Sequence, residues 1–547
     1  MNILMIAAEN DALQGAKVGG IADVVRDIAP ALAQRGHRVN VLLPGYQALS
    51  TSEGSKLETT FEINFWGRRQ SIQLFSVPGR KPADGVKQWV LEHPLFAAAG
   101  KGRIYCDDPP DRPFATDASK FALFCLAAAE AANRGLFGAL DILHLHDWHA
   151  ALVALLRSYH PHYSDLKKLP TVFTIHNLAL QGIRPFDGDI SALQAWFPEI
   201  KVDLSRVADP RYTDCINLMR TGINLSDKVH AVSPTYVSEI TRPSDPKSGF
   251  FGGEGLDQDL LDAQRSGRLV GILNGADYDD AQAVPQDSEL ESLLLQCESA
   301  LISWIAKETS CYSGHTIALA RIQQWLRLDA KLAPKSTTSS KSRTSSKSSQ
   351  SQTQAKPFEP PMLYTSVGRL TDQKVLLLRQ IMLNGQSALD NLLHQLSGRG
   401  RLILLGSGDP ALEQFLLEVA GRHENFIFLR GFSISLSEQI YRAGDLFLMP
   451  SSFEPCGISQ MLAMRAGQPC LVHAVGGLAD TVRDGETGFS FSANSLHDQC
   501  QAMLDTSERA LALFQQPDRW QSLCAAAAAE RFLWSDSAKQ YEEALYH

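Results

Sequence analysis

The sequence predicts an α/β protein made of two doubly wound parallel-sheet domains that face each other across a deep interdomain cleft. Three observations carry this expectation. One phrase occurs twice: Val18-Gly19-Gly20-Ile21-Ala22-Asp23-Val24-Val25 recurs as Val475-Gly476-Gly477-Leu478-Ala479-Asp480-Thr481-Val482, with six of eight positions identical. Strand-like and helix-like segments alternate through both halves, the pattern of parallel sheets. The length of 547 residues exceeds what one ordinary core serves.

In chain order, Met1 to Ala8 reads as a buried strand. Asp23 to Arg35 reads as an amphipathic helix closed by Gly36. Arg38 to Leu43 is the next strand and ends in a Pro44-Gly45 turn. Asp141 to His146 is a strand followed by a helix from His149. Thr171 to Ile175 runs straight into His176-Asn177, and Val229 to Val232 precedes Ser233-Pro234. Glu289 to Leu328 looks helical. The second half supplies strands at Leu363 to Val367, Arg401 to Leu405, Phe426 to Leu429, Leu446 to Met449 and Cys470 to Val472.

Between the halves, Lys335 to Lys356 is almost only Ser, Thr, Lys, Gln and Arg. Such a segment cannot bury a core and is predicted to be a disordered insertion. The expected division is a first domain over 1–270, then a hinge, helical segment and insertion over 271–356. A second domain follows over 357–525, and a final helix over 526–547.

Composition narrows the function classes. Hydrophobic residues make up 44% and charged residues 20%, ordinary for a globular protein. A net charge of −9 argues against nucleic acid or an anionic membrane as main partner. No apolar run reaches the roughly 18 residues that span a bilayer. The start carries no signal-peptide pattern, and the nine cysteines are scattered without a C-x-x-C pair. A reduced cytoplasm is therefore the expected setting.

The candidate site residues cluster at predicted strand ends, where α/β sheets bind ligands. Gly19-Gly20 and Gly476-Gly477 each open a helix, so free N–H groups and the helix dipole there favour an anion. Two such turns facing one cleft suit a negatively charged substrate such as a nucleotide sugar. Glu454, in Phe453-Glu454-Pro455-Cys456-Gly457, is a carboxylate just before a helix, suited to sugar hydroxyls, and the N–H groups of Cys456 and Gly457 offer donors beside it. Arg369 and Lys374 suit a diphosphate leaving group equally well as they suit a solvated surface pair. His144-Leu145-His146-Asp147-Trp148-His149 has no common zinc spacing, and reads instead as a strand end bringing polar groups to the crevice. His176 has the same placement.

Taken together and in order, these segments resemble bacterial glycogen synthases and plant starch synthases, the retaining GT-B glucosyltransferases of glycosyltransferase family 5. The motifs are Lys17-Val18-Gly19-Gly20, His146-Asp147-Trp148-His149-Ala150, Thr174-Ile175-His176-Asn177, Ser233-Pro234-Thr235-Tyr236, Leu273-Asn274-Gly275, Arg369 with Lys374, Phe453 to Gly457 and Gly476 to Asp480. Phe532-Leu533-Trp534 with Tyr541 resembles the family's closing helix, which crosses back to the first domain.

The resemblance implies two Rossmann-like domains and a transfer of glucose from ADP-glucose to the non-reducing end of an α-1,4-glucan such as glycogen, with retention of configuration. It implies that Lys17, Gly19 and Gly20 hold donor phosphates, and that Arg369, Lys374 and the Gly476-Gly477 turn neutralise the departing diphosphate. Glu454, Cys456 and Gly457 would bind the donor glucose, with His176 and Asn274 opposite. Asp147 would lie near the acceptor, Tyr105 would contact glucan, and Phe432 would lie over the base. No cofactor and no metal is implied. A related glucosyltransferase with a small-molecule acceptor, or a weakened glucan-binding paralogue, are the alternatives.

The chain departs from the family pattern in four places. They are the loop Glu9 to Ala16, Val375 where the family has glycine in a turn, Asp279-Asp280-Ala281 after Asn274-Gly275, and the 335–356 insertion.

Overall fold

A computed structural model describes residues 1–278, 290–307, 312–332 and 361–547, with the backbone alone over 329–332. The predicted insertion at 335–356 and Asp279-Asp280-Ala281 lie outside the described residues. The first sheet has nine strands. Across it run Leu269–Gly271, Lys228–Ala231, Thr171–Ile175, Ile142–His146, Asn2–Ile6, Arg38–Pro44, Val86–Glu92, Arg68–Val77 and Lys56–Phe65. The first seven are mutually parallel. The last two form an antiparallel hairpin at one edge.

That hairpin turns at Trp66-Gly67, both with positive φ (55° and 65°), the two-residue turn whose twist matches a strand pair. Phe61, Ile63 and Phe65 on one strand and Ile72 and Leu74 on the other alternate inward. The second sheet has six parallel strands, ordered Phe426–Arg430, Gly400–Gly406, Met362–Val367, Leu446–Met449, Cys470–His473 and Gly488–Phe491.

Each sheet reverses its strand order once. In the first, the chain leaves Asn2–Ile6 to one side and returns on the other with Ile142–His146. In the second, the reversal falls between Met362–Val367 and Leu446–Met449. Crevices open beyond the C-terminal strand ends at such switch points. The segments after these four strands carry Glu9, Asp147, Arg369 and Glu454.

Four expectations need correction. The first helix is Gly20–Gln34, so it begins three residues before Asp23 and takes Gly20 as its first residue. After Ile142–His146 the helical turn starts at Asp147, not His149, and a second helix runs Leu152–Tyr159. The helical stretch placed in a hinge is two helices, Leu290–Ile305 and Ser313–Leu332. Leu293, Leu294, Leu301 and Trp325 pack against Leu405, Ile427 and Leu429, so these helices cover one face of the second sheet. Finally, Val375 is not in a turn: it lies inside the helix Asp372–Arg379 and is buried in the core of the second half.

The helix Trp534–Leu545 leaves the second half and packs on the first. Trp534, Ala538, Tyr541 and Leu545 join Ile3, Val25 and Tyr46 in one core. Ala276 N–H donates to the Phe532 carbonyl at 2.7 Å, and Ser537 Oγ to the Leu273 carbonyl at 2.8 Å, fixing the crossing.

Candidate active site

A cleft of about 2750 Å³ separates the two sheets. From the first half Glu9, Lys17, Gly19, Gly20, Tyr105, Asp147, His176 and Asn274 line it. From the second come Arg369, Lys374, Phe432, Glu454, Cys456 and Gly457. The structure therefore brings together every sequence-predicted site residue except Gly476 and Gly477.

Those two glycines are buried and their turn is not open to a phosphate. Gly476 N–H donates to the Glu239 carboxylate at 2.9 Å, and Gly477 N–H to the Glu454 carbonyl at 3.0 Å. A Cβ on Gly476 would come within 1.9 Å of that carbonyl oxygen, and its φ of 44° already favours glycine. The turn is thus a bracket that holds the Glu454 segment against the first half. Burial raises the Glu239 carboxyl to about 7. Ser233 Oγ donates to the Pro455 carbonyl at 2.6 Å, while Thr235 N–H and Oγ1 donate to Asp480 at 3.0 and 2.7 Å. The Ser-Pro-Thr-Tyr segment, for which the sequence suggested no task, is the other half of this clasp.

The first Gly-Gly turn is different. Gly19 caps the helix Gly20–Gln34 without any side-chain cap of its own. The Glu9 carboxylate lies just ahead of the helix and accepts the N–H groups of Val18 and the cap residue Gly19 at 2.5 Å each. Tyr105 donates its hydroxyl to the other Glu9 oxygen at 2.6 Å. An anion does sit at this helix start, and it belongs to the protein. Lys17, expected on a phosphate, lines the cleft and pairs with Asp23 at 2.6 Å and Asp11 at 3.5 Å. Sequence reasoning noticed the Glu9 loop only as atypical; a carboxylate directly after a buried strand was the signal available.

Across the cleft, Arg369 is exposed and has no ion-pair partner among the described residues. Its guanidinium lies 3.8 Å from where a Cβ on Gly19 would stand. Lys374 is half-buried and paired with the Glu454 carboxylate. Ser451 Oγ donates to the same Glu454 oxygen at 3.0 Å. The N–H groups of Cys456 and Gly457 have no partner among the described residues, so two donors point free beside a buried carboxylate. Burial pushes the Cys456 thiol up to about 12, which keeps it a neutral thiol. Asn274 touches that thiol, and its buried Oδ1 has no partner. Phe432 stands two-thirds exposed on the lip, just after the strand Phe426–Arg430.

The strand ends of the first half carry a buried histidine system. His230 Nε2 donates to the Ile272 carbonyl, which can only accept, and this fixes the direction of the chain. Thr174 Oγ1 then donates to His230 Nδ1 at 3.1 Å, His144 Nε2 to Thr174 at 2.6 Å, and the Tyr546 hydroxyl to His144 Nδ1 at 2.7 Å. Burial pushes His230 down to about 4 and His144 well below its usual range, so both stay neutral. His144 and His146 are therefore not metal ligands in waiting but parts of this packing. Asp147, with a left-handed φ of 54°, turns its carboxylate onto the His176 N–H at 2.7 Å. A non-glycine residue held there is strained and belongs to a site that over-determines it. Burial raises its carboxyl to about 8 against the main-chain hydrogen bonds that lower it.

Comparison with known proteins agrees with this geometry. Residues 2–262 match the starch synthase catalytic domain, and residues 372–508 match glycosyl transferases group 1. Glycogen synthase of Streptococcus pneumoniae serotype 19F (strain G54) is 32% identical over 560 aligned residues, covering 100% of this chain and 99% of that protein. Glycogen synthase of Streptococcus sanguinis (strain SK36) is 32% identical over 557, covering 99% of each. The solved catalytic domain of Starch Synthase IV from Arabidopsis thaliana, bound to ADP and acarbose, superposes with a TM-score of 0.71. It has 26% identity and covers 100% of this chain and 98% of that one. A sucrose-phosphate synthase from Thermosynechococcus elongatus shares the fold, with a TM-score of 0.52, 16% identity and coverage of 99% and 98%. Two parallel-sheet halves, a cleft between their switch points and full-length similarity agree: the chain belongs to the glycogen synthase and starch synthase family of GT-B glycosyltransferases.

Proposed function

We propose that this glycosyltransferase moves glucose from ADP-glucose to the non-reducing end of an α-1,4-glucan, with retention at the anomeric carbon. The bond from the anomeric carbon to the diphosphate oxygen breaks, ADP leaves, and a bond to the acceptor hydroxyl oxygen forms as that hydroxyl gives up its proton. Two demands follow: negative charge on the leaving diphosphate and positive charge on the glucosyl group must both be stabilised.

The observation that carries the reading is the pairing of Lys374 with Glu454 in a cleft that also holds Arg369, which has no ion-pair partner among the described residues. Lys374 and Arg369 would face the diphosphate. Glu454 and the free N–H groups of Cys456 and Gly457 would take glucose hydroxyls, with His176 and Asn274 on the opposing wall. Asp147 and Tyr105 would line the acceptor side, and Phe432 would cover the base. Glu9 at the Gly19 turn would meet the donor as a carboxylate, not as an empty anion hole. A cleft with sheets on both sides favours water exclusion during transfer.

We also take the chain as two domains near 1–270 and 357–525, with 526–547 closing back on the first. Among the described residues, no helix is long and apolar enough to cross a membrane. The deciding experiment measures glucose incorporation into glycogen from ADP-glucose and UDP-glucose side by side. ADP-glucose is expected to have much the higher kcat/KM; equal or reversed preference would overturn the donor assignment, and incorporation only into small sugars would overturn the acceptor.

A further inference from the structure

His146 Nδ1 and His176 Nε2 share one hydrogen bond at 2.9 Å. Their ring planes are 27° apart with centroids 5.2 Å apart, and His144 stacks on His146 at 4.6 Å. Both rings are buried and neutral, since burial pushes His146 down to about 3 and His176 well below its usual range. A neutral imidazole has one N–H and one bare nitrogen. The shared bond therefore has two possible directions, and each fixes both tautomers.

The second nitrogen of His146 separates them. His146 Nε2 is buried and has no partner among the described residues. If His176 donated, the His146 proton would sit on Nε2 as an orphaned buried N–H, which folded proteins rarely keep. If His146 donates from Nδ1, its Nε2 is only an unused acceptor. The proton of His176 then lies on Nδ1. That atom has no partner among the described residues, is not among the buried unpartnered atoms, and belongs to a residue that lines the cleft.

We propose that His146 is a positioning residue that holds His176 in the Nδ1–H tautomer, so that His176 presents a donor to a hydroxyl of the bound donor sugar. The proposal rests on the donor-glucose role given to His176 above. His146 itself lies behind His176 and reaches the sugar only through it.

The test is nitrogen-15 NMR of histidine-labelled protein, with His176 assigned by its absence from His176→Gln. The expected wild-type spectrum has a protonated Nδ1 and a bare Nε2 on His176. In His146→Leu the signal shifts toward the other tautomer, and kcat/KM for ADP-glucose falls about tenfold, the worth of one hydrogen bond. His146→Asn, whose amide can replace the Nδ1 donor, restores both. A wild-type His176 protonated on Nε2, or a spectrum unchanged in His146→Leu, overturns the proposal. Should the leucine variant fail to fold, the wild-type and asparagine spectra decide. An active wild type with its proton on Nε2 refutes the tautomer alone; an inactive wild type with its proton on Nδ1 refutes the transferase reading alone.

Discussion

Lys374 and Glu454, eighty residues apart in sequence, meet as an ion pair at the switch point of the second sheet. Lys374 comes from the helix after Met362–Val367, and Glu454 from the loop after Leu446–Met449. One cation thus faces both a diphosphate position and the carboxylate assigned to the sugar. If the charge on Lys374 and Arg369 matters more in the transition state than in the ground state, losing either lowers kcat as well as raising donor KM. Lys374→Ala and Arg369→Ala are each expected to lose on the order of a hundredfold in kcat/KM. Circular dichroism should report an intact fold. Near-normal kcat in both would make them the surface pair that the sequence left open.

Val375 follows immediately, and it lies in a helix rather than in the turn where the family has glycine. In the structure Val375 is 2% exposed in a helix. Val375→Gly removes a packed side chain and lowers helix propensity, together costing about 2–3 kcal/mol. The melting temperature should fall by several degrees; an unchanged value would mean that the neighbours refill the space.

Gly476 and Gly20 are each the first helical residue within their copy of the repeated phrase, but they should respond oppositely. A Cβ on Gly476 meets the Glu454 carbonyl, whereas one on Gly20 meets nothing within 4 Å. Gly476→Ala is expected to depress both melting temperature and kcat, because it displaces the Glu454 segment. Gly20→Ala should leave the melting temperature within about a degree or raise it slightly, as alanine suits a helix better. A thermal-shift comparison of the two variants is enough to decide.

The buried histidines make stability depend on pH with a definite sign. His146 and His149 are pushed by burial from 6.5 to about 3, and His230 to about 4. Between those values and 6.5 the unfolded chain binds protons that the folded chain refuses, so stability rises with pH and is lost as pH falls. Asp147 and Glu239, raised to about 8 and about 7, bind protons when folded and oppose this slope. His149→Gln should therefore flatten the rise of urea midpoint between pH 4 and 6 by about one bound proton. An unchanged slope would mean that His149 is charged in the folded protein.

Much of this was legible in the sequence because parallel strands announce themselves as short apolar runs with functional residues at their ends. Thr171–Ile175 and Leu446–Met449 fall where the sequence puts them. The hairpin Lys56–Phe65 with Arg68–Val77 is absent from the predicted strands because an edge hairpin is half exposed: Phe61, Ile63 and Phe65 alternate with polar residues and form no continuous apolar run. The repeated Gly-Gly phrase pointed rightly to two helix starts. It could not say that Glu9 fills one and Glu239 the other, because each partner is brought in by tertiary packing. The Ser233–Pro455 and Thr235–Asp480 contacts were hidden for the same reason: more than two hundred residues separate each pair.

The helix Trp534–Leu545 has a consequence for how the protein is made. The core around Ile3, Val25 and Tyr46 takes one of its walls from residues translated almost five hundred positions later. At about 5–20 residues per second, that wall follows Tyr46 by roughly 25 to 100 seconds. Until then the apolar side chains around Ile3, Val25 and Tyr46 lack the cover of this helix. Completion of this core therefore waits until residues 534–545 have been made.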